Sequence, residues 1–295
     1  MTDQKIIQLL KDTGHLDQPC GGSRQEWNVE ELASVGDWPV GRAIASYQDF
    51  HSECLDRFCL DHHSRPARAD GDIGPATRDL FALPRCGHPD YGPDVAAATG
   101  SGNWRGCHGI GNYHSALVHV DKTDMPGFLR PHWDEALKLA FASFAEIGLK
   151  FALTDDESKA NIIVTFETAR RGWIGLAIVG SGQSCNSTIW AQFHAGYHPT
   201  KIVSMWTQLL MHEFGHNCGW QHTRGGVMSA TLMVELPPTW IGDPIEPLAK
   251  RMYGGVPIPG AEPPEPGPPG QDRVGKIVWS DGSRGYDLIP EAEVP

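Results

Sequence analysis

Three histidines and one glycine at fixed spacing constrain the fold of this chain more than any other feature. The segment 212–222 reads HEFGHNCGWQH. His212 and His216 are four positions apart, so on a helix their imidazoles lie on the same face. Gly219 allows the helix to end and the chain to turn sharply, which brings His222 towards the other two histidines. We therefore predict a helix that ends near Gly219 and three imidazole nitrogens that converge on one point.

The residue types in this segment are typical of catalytic zinc. Such zinc has three protein ligands and one open position, whereas structural zinc usually has four protein ligands. His212, His216 and His222 are the predicted ligands. Glu213 adjoins the first of them, and we expect it to act as general base and then general acid on a water activated by zinc. The alternatives are a helix whose histidines bind no metal and a zinc site without catalysis.

Composition excludes several classes of function. The chain has 295 residues, of which 40% are hydrophobic and ten are Trp, which is enough to bury a sizeable core. The net charge of −12 argues against a nucleic-acid partner, because phosphate binding requires a basic surface. No apolar stretch approaches the about 18 residues of a membrane span, and the apolar run at residues 6–10 is too short for a standard signal peptide. We expect a soluble protein.

The first part of the chain has the pattern of a small helical domain. Apolar positions recur at helical spacing over residues 42–60. Residues 70–81 read DGDIGPATRDLF, which predicts a tight turn and then a short helix from Ala76 to Phe81, with Pro75 in its first turn. Residues 91–103 lack periodicity and are rich in glycine and small residues, so we expect an exposed linker that proteases can cut.

Residues 104–254 are predicted to form a second domain in which helices and strands alternate. Its predicted elements are a helix over 132–147 that ends at Gly148, strands over 161–166 and 187–193, a helix from Lys201 to about Cys218 capped by Thr200, and a helix from Asp243 to Met252. Residues 255–271 are rich in proline and predict an extended linker. In the tail, residues 272–295, the pair Asp281-Gly282 predicts a hairpin.

The pattern HExxHxxGxxH resembles the metzincin zinc endopeptidases and, within them, the matrixins, or matrix metalloproteinases. That family has a methionine in a tight turn beneath the metal, which Met228 fits, with Met233 as the second candidate. In the resemblance, Gly219 and Met228 support the site. The resemblance covers about residues 104–254. It implies an α+β fold with a twisted, mostly parallel sheet, long helices and the active-site helix under the cleft.

A second motif strengthens the resemblance. Residues 84–90 read PRCGHPD, which resembles the matrixin cysteine switch PRCGxPD. The resemblance implies that Cys86 binds zinc in the latent form and that Arg85 and Asp90 pair as a clamp. The turn DGDIGPAT resembles peptidoglycan-binding-like domains, so residues 1–90 are predicted to be a helical prodomain. A structural or disulfide-bonded Cys86 is the alternative.

The chain also departs from the matrixin pattern. Matrixins bind a second zinc ion and calcium ions in the middle of the catalytic domain. Residues 172–199 contain no Asp or Glu, and their only histidines are His194 and His198, so ligands for a second Zn²⁺ or for Ca²⁺ are not identifiable. We interpret both histidines as loop residues. The resemblance implies an extracellular, virion or cell-surface location, although no standard signal peptide is found.

The implied activity is that of a latent zinc-dependent endopeptidase acting on proteins. Its protein or peptide substrate is expected to lie extended along a sheet edge near residues 175–179. The segment Ser229–Trp240 would line the pocket for the side chain that follows the scissile bond. Two alternatives remain: a peptidoglycan-cleaving metallohydrolase whose prodomain binds cell-wall glycan, and a structural or binding component whose zinc is permanently blocked by Cys86.

Overall fold

The fold is known from a computed structural model of the chain. The structure describes residues 3–16, 39–51, 71–81, 85–90, 106–108, 113–167, 173–180, 188–194, 202–223, 225–231, 239–255, 258, 272–278 and 284–290. The chain divides into two compact units, each described by itself below. The first comprises Met1–Leu83 with His88–Ala96, and the second comprises Pro84–Gly87 with Ala97–Pro295. The segment that contains Cys86 therefore groups with the second unit.

The described part of the first unit is helical. Its helices are α1 (Asp3–Asp12), α2 (Pro39–Phe50) and α3 (Pro75–Phe81). The prediction of a short helix with Pro75 in its first turn is confirmed. The helix predicted over 42–60 is confirmed up to Phe50, and its second half lies outside the described residues. The predicted linker 91–103 also lies outside them.

Gln48 of α2 holds the turn before α3 in place. Its amide nitrogen donates hydrogen bonds to the carbonyl oxygen of Asp72 at 3.0 Å and to the Thr77 hydroxyl at 2.9 Å. Its amide oxygen accepts one from the backbone N–H of Gly71 at 2.9 Å. Gly71 has a φ of +80°, a left-handed conformation that favours glycine. The turn predicted from the sequence DGDIGP is therefore fastened by a buried side chain from another helix.

The second unit is built around a mostly parallel sheet. Its strands are β1 (Cys107–His108), β2 (His114–Val120), β3 (Leu149–Leu153), β4 (Ile162–Glu167), β5 (Gly175–Ala177) and β6 (Ile189–His194). The main order is β3-β2-β4-β6-β5, and the short β1 pairs with the beginning of β2. The long strands are parallel, while β5 at the edge runs antiparallel to β6. Strand β5 is thus the edge of this sheet, and its outer side pairs with Cys86 through an isolated parallel bridge at Gly175.

Two long helices pack on this sheet and on each other. They are α4 (Arg130–Glu146) and α5 (Ile202–Asn217), and the shorter α6 (Glu246–Tyr253) follows later in the chain. Helix α4 ends at Glu146, and Gly148, with a φ of +89°, follows its C-cap residue Ile147, close to the predicted end. Trp133 of α4 and Trp206 of α5 meet edge to face with their ring centroids 6.0 Å apart, and neither is exposed. The core therefore holds α5 firmly against α4 and the sheet.

These observations confirm the predicted α+β class with a mostly parallel sheet. The strands predicted over 161–166 and 187–193 are found as β4 and β6, shifted by one or two residues. In the tail, β7 (Asp272–Val278) and β8 (Arg284–Pro290) pair antiparallel, and the turn predicted at Asp281-Gly282 lies outside the described residues. Most of the proline-rich segment lies outside the described residues. Among the helices in the described ranges, none has both the length and the apolar character needed to cross a membrane.

Candidate metal centre

Helix α5 presents His212 and His216 on one face. Their Nε2 atoms lie 3.1 Å apart, and the two side chains are almost completely buried. Because the spacing of four residues brings them over one another on the helix, this approach is set by the sequence itself. Two imidazole nitrogens at this distance are suited to bind a single ion.

The chain turns immediately after α5. Gly219 has a φ of +91°, and its backbone N–H donates to the carbonyl oxygen of His216 at 2.8 Å. The turn places the ring of His222 with its centroid 5.3 Å from that of His212 and 5.0 Å from that of His216. The three imidazoles therefore converge as predicted. The turn that allows this requires a left-handed backbone at Gly219, which would be strained in a residue with a side chain.

The Nδ1 contacts of two histidines fix the position of one ring proton in each. Nδ1 of His212 lies 2.8 Å from the carbonyl oxygen of Val227, and Nδ1 of His216 lies 2.8 Å from that of Trp220. A carbonyl only accepts, so each Nδ1 carries a proton, and in the neutral form of each ring the lone pair is then on Nε2. Two lone pairs that face each other at 3.1 Å repel unless a cation lies between them. This arrangement fits a metal ion, since metal-binding histidines characteristically donate their other N–H in this way.

Cys86 completes the cluster. Its Sγ lies 3.5 Å from Nε2 of His216 and 3.9 Å from Oε2 of Glu213. Ligand atoms of Cys86 and of all three histidines lie within 4.8 Å of one another. One thiolate and three imidazoles are a complete tetrahedral ligand set for zinc. The donor types and their separations therefore fit zinc.

Backbone hydrogen bonds on both sides hold the segment that carries Cys86. On the β5 side, the N–H of Gly87 donates to the carbonyl of Gly175 at 2.8 Å, and the carbonyl of Arg85 accepts from Ile174 at 2.9 Å. On the other side, the N–H of Cys86 donates to the carbonyl of Ala230 at 2.8 Å. The segment thus lies as an additional strand between the edge of the sheet and the chain beyond Met228.

Glu213 lies beside the cluster without joining the histidine face. Its side chain is completely buried, and burial raises the pKa of its carboxyl well above the ordinary value, while the hydrogen bond with Cys86 lowers it. Within the described part of the chain, Oε1 has no hydrogen-bond partner. Gly175 of β5 leaves the room that this carboxyl occupies, because a Cβ there would overlap Oε1. A buried carboxyl with an unused oxygen is suited to exchange protons with a molecule bound beside it.

Met228 lies in a tight turn under α5. The backbone N–H of Ser229 donates to the carbonyl of Gly226 at 3.1 Å, and that of Thr223 donates to the carbonyl of Met228 at 2.9 Å. The methionine side chain is completely buried, and its sulfur reaches so close to Gly215 that a Cβ there would overlap it. Met228 thus packs against the helix one residue before His216. The second candidate, Met233, lies outside the described residues.

Asp243 has a different role from the predicted one. The sequence suggested that it caps the last helix, but α6 begins at Glu246, and no side-chain cap is found at its N-cap residue, Ile245. Instead, Oδ2 of Asp243 accepts from the N–H of Val227 at 2.7 Å, and Oδ1 accepts from that of Ile245 at 2.9 Å. Val227 in turn accepts the Nδ1 proton of His212. Asp243 therefore orients a histidine through one intervening residue, Val227, whose N–H it accepts and whose carbonyl accepts from His212.

The contacts described for Arg85 and Asp90, the residues predicted to clamp the cysteine, are with other groups. Nε of Arg85 donates to the carbonyl of Cys86 at 3.2 Å. Oδ2 of Asp90 lies 3.1 Å from Nε2 of His15 and 3.1 Å from Nε2 of His51. The pairing of Arg85 with Asp90 remains a prediction. The histidine pair was missed from the sequence because its members are far apart in the chain and form no spaced motif.

A small cavity adjoins the cluster. Its walls include three residues of α5 and three residues after Met228, and these are Gln208, Leu209, His212, Ser229, Ala230 and Thr231. The first three residues of the segment predicted to line the specificity pocket, Ser229–Trp240, therefore lie at this cavity. Residues 232–238 of that segment lie outside the described ranges, as do His198 and the side chain of His194, so the secondary metal sites remain untested.

A comparison with known proteins agrees with this arrangement. The family model described as Metallo-peptidase family M12B Reprolysin-like matches residues 117–223. The matched region runs from β2 to just beyond His222, and it includes α5 with Glu213. The match supports a metzincin-type, zinc-dependent peptidase that acts on a protein or peptide substrate. No curated protein matches the chain.

Proposed function

We propose that this protein is a latent zinc-dependent endopeptidase of the matrixin type, in which Cys86 blocks the active site. The observation that carries the proposal is the position of Sγ, 3.5 Å from Nε2 of His216 and 3.9 Å from Oε2 of Glu213. A cysteine beside both a metal ligand and the buried carboxyl prevents a substrate from using either. The peptidase match extends over the histidines and the glutamate, and Cys86 lies outside it.

His212, His216 and His222 would hold the zinc ion, with Cys86 as the fourth ligand of the latent form. When bound there, zinc supplies a Lewis acid that polarises the carbonyl of the scissile bond. His212 and His216 contribute neutral rings whose orientation is maintained by hydrogen bonds to Val227 and Trp220. Because both Nδ1 protons are already donated, the Nε2 lone pairs remain directed at the ion.

Glu213 performs the proton transfers in this proposal. Its carboxylate accepts a proton from the attacking water and later delivers it to the nitrogen of the departing amine. Complete burial supports this role, since desolvation raises the pKa of the carboxyl well above its ordinary value. In the latent protein the thiol of Cys86 takes the space beside Oε2 that the water requires.

The substrate is proposed to bind extended along the edge of β5. Residues 85–87 already make strand-like hydrogen bonds with Ile174 and Gly175 on one side and with Ala230 on the other. A peptide in the same place would use the same backbone groups. The latent segment therefore excludes substrate from the strand edge as well as from the metal. Cleavage in residues 91–103 would detach residues 1–90 and free both.

The proposal includes an extracellular or cell-surface location, as the resemblance to secreted matrixins implies. A peptidoglycan-cleaving activity and a permanently blocked binding protein are not favoured by the peptidase match. A permanently blocked binding protein does not account for a buried glutamate beside three converging histidines. Cell-wall glycan thus stays outside the proposed function.

The full-length protein tests the proposal directly. We expect it to bind zinc and to cleave casein only after a thiol-reactive mercurial has displaced Cys86 from the metal. A zinc chelator should then abolish the cleavage. A Cys86→Ser variant serves as the control for the mercurial, because its activity should not depend on the reagent. Equal casein cleavage before and after treatment would reject latency, and no cleavage under any condition would reject the peptidase.

A further inference from the structure

A second cluster of metal-binding side chains lies in the first unit. His15 follows the C-terminal end of α1, His51 follows α2, and Asp90 belongs to the segment 88–96 of the same unit. Nε2 of His15 and Nε2 of His51 each lie 3.1 Å from the same oxygen, Oδ2 of Asp90. The side chains of all three residues are completely buried. The peptidase function uses none of the three as a metal ligand.

The distances in this cluster fit a first-row divalent metal ion. Bond lengths of about 2.0–2.2 Å from zinc to nitrogen and oxygen place two ligand atoms about 2.9 Å apart at a right angle and about 3.4 Å apart at a tetrahedral angle. The two separations of 3.1 Å lie between these limits. The three ligand atoms all lie within 4.8 Å of one another. The nitrogen-to-oxygen separation of 3.1 Å also equals the distance between Nε2 of His212 and Nε2 of His216.

The surroundings of His15 match those of a metal ligand. Its Nδ1 lies 3.0 Å from the hydroxyl of Ser46, a group that can accept the Nδ1 proton. With the proton on Nδ1, the lone pair of Nε2 faces the Asp90 carboxylate. In this tautomer both atoms are available as ligands of one divalent ion, and the Nδ1 proton is donated as metal-binding histidines characteristically donate theirs.

We propose that His15, His51 and Asp90 form a second metal site for a divalent ion of the zinc type, separate from the site on α5. Two imidazoles and one carboxylate are a ligand set that suits zinc and neighbouring transition metals. The ion would join segments that are 75 and 39 residues apart in the chain. Because closing such loops restricts the unfolded chain, the ion would stabilise the small helical unit.

Metal analysis of the full-length protein tests the site independently of peptidase activity. After dialysis in zinc and removal of excess metal, we expect about two zinc ions per chain. A His212→Ala, His216→Ala double variant should retain about one ion, and a His51→Ala variant should also retain about one. A wild-type content of one ion that falls to none in the His212→Ala, His216→Ala variant would overturn the proposal.

A conservative variant separates metal loss from misfolding. Asp90→Asn keeps the shape of the side chain and one acceptor oxygen but removes the charged ligand. We expect this variant to lose one ion. The unfolding temperature is then compared with and without added zinc in a background that carries His212→Ala and His216→Ala, so that the α5 site contributes nothing. In that background Asp90→Asn should make the unfolding temperature independent of zinc. The matched control is Asp49→Asn, which changes an exposed aspartate of α2 and should keep both the ion and the zinc effect.

Nuclear magnetic resonance of the wild-type protein gives a readout that needs no variant in the cluster. With zinc at saturation, the ring nitrogens Nε2 of His15 and His51 should show the shifts of metal-bound nitrogen and carry no proton. The opposite result, a proton on both Nε2 atoms at saturating zinc, would mean that the cluster is held by hydrogen bonds alone. That result would overturn the proposal even if the peptidase function is correct.

Discussion

Gly175 lies directly against the carboxyl group of Glu213, and a Cβ at position 175 would overlap Oε1. The contact joins the edge strand β5 to the C-terminal part of α5. It means that the strand proposed to bind substrate also determines where the proposed proton carrier can lie. The absence of a Cβ at position 175 thus makes the position of the Glu213 carboxyl depend on strand β5.

Replacing this glycine tests the contact. Gly175→Ala should displace the Glu213 carboxyl and reduce kcat of the mercurial-treated protein by about tenfold or more, a barrier increase of about 1.4 kcal/mol. Zinc content should stay unchanged, because glutamate is not a ligand. The control is Gly127→Ala, since a Cβ there meets nothing within 4 Å. Equal activity of the two variants would contradict the proposed positioning.

Cys86→Ser tests latency. Serine is a poor zinc ligand compared with a thiolate, so the full-length variant should cleave casein without a mercurial, at least about tenfold faster than the untreated wild type. Cys107→Ser, which changes a half-buried cysteine at β1, should remain latent. An inactive Cys86→Ser protein that still binds zinc would show that the thiol is not what blocks the site.

Glu213→Gln tests the proton carrier. The amide keeps the volume of the side chain but cannot accept a proton, and kcat should fall by about 10²–10⁴-fold. Metal content measured on the same samples should equal that of the wild type. Retained activity would remove Glu213 from the mechanism, whereas loss of zinc would indicate that it supports the metal site instead.

Asp243→Ala tests the orientation of His212. The change leaves the N–H groups of Val227 and Ile245 without their acceptor, so zinc affinity should fall by about 10–100-fold. Competition with a zinc-binding dye measures the affinity directly. Asp134→Ala is the control, because that carboxylate is 78% exposed and pairs only with Lys122 among the described salt bridges. An unchanged zinc affinity would limit Asp243 to a structural role in the turn.

Glu146 should make stability depend on pH. Burial raises the pKa of this carboxyl above its ordinary value of 4.5, although hydrogen bonds from Thr239 and Trp240 lower it. Between the ordinary and the raised pKa the folded state binds more protons than the unfolded state, so the free energy of unfolding decreases as the pH rises through that range. Denaturant titrations at pH values below and above this range measure the free energy of unfolding, and Glu146→Gln should remove the decrease between them. Glu135→Gln, an exposed change on α4, should preserve the decrease.

The elements of the fold were largely predictable because their signals are local. Apolar spacing predicted α4 and α5, and the β-branched run NIIVTF predicted β4. Asp243 shows where local signals fail. An aspartate before a helix predicts a cap, but nothing near it in the sequence tells which N–H groups will reach its carboxylate. Packing decided that by bringing the turn at Val227 against the start of α6.

The sequence by itself determined the part of the site that one helical turn and one glycine can form. Helical periodicity alone places His212 beside His216, and Gly219 supplies the conformation that brings His222 close. Tertiary structure decided which residues meet this group: Cys86 through strand-like hydrogen bonds, Gly175 through the sheet edge, and Asp243 through the turn at Val227. These contacts join distant segments, so they depend on the packing of the whole second unit. The motif PRCGHPD pointed to Cys86 only by resemblance, and the contacts of Gly175 and Asp243 leave no spacing pattern in the chain.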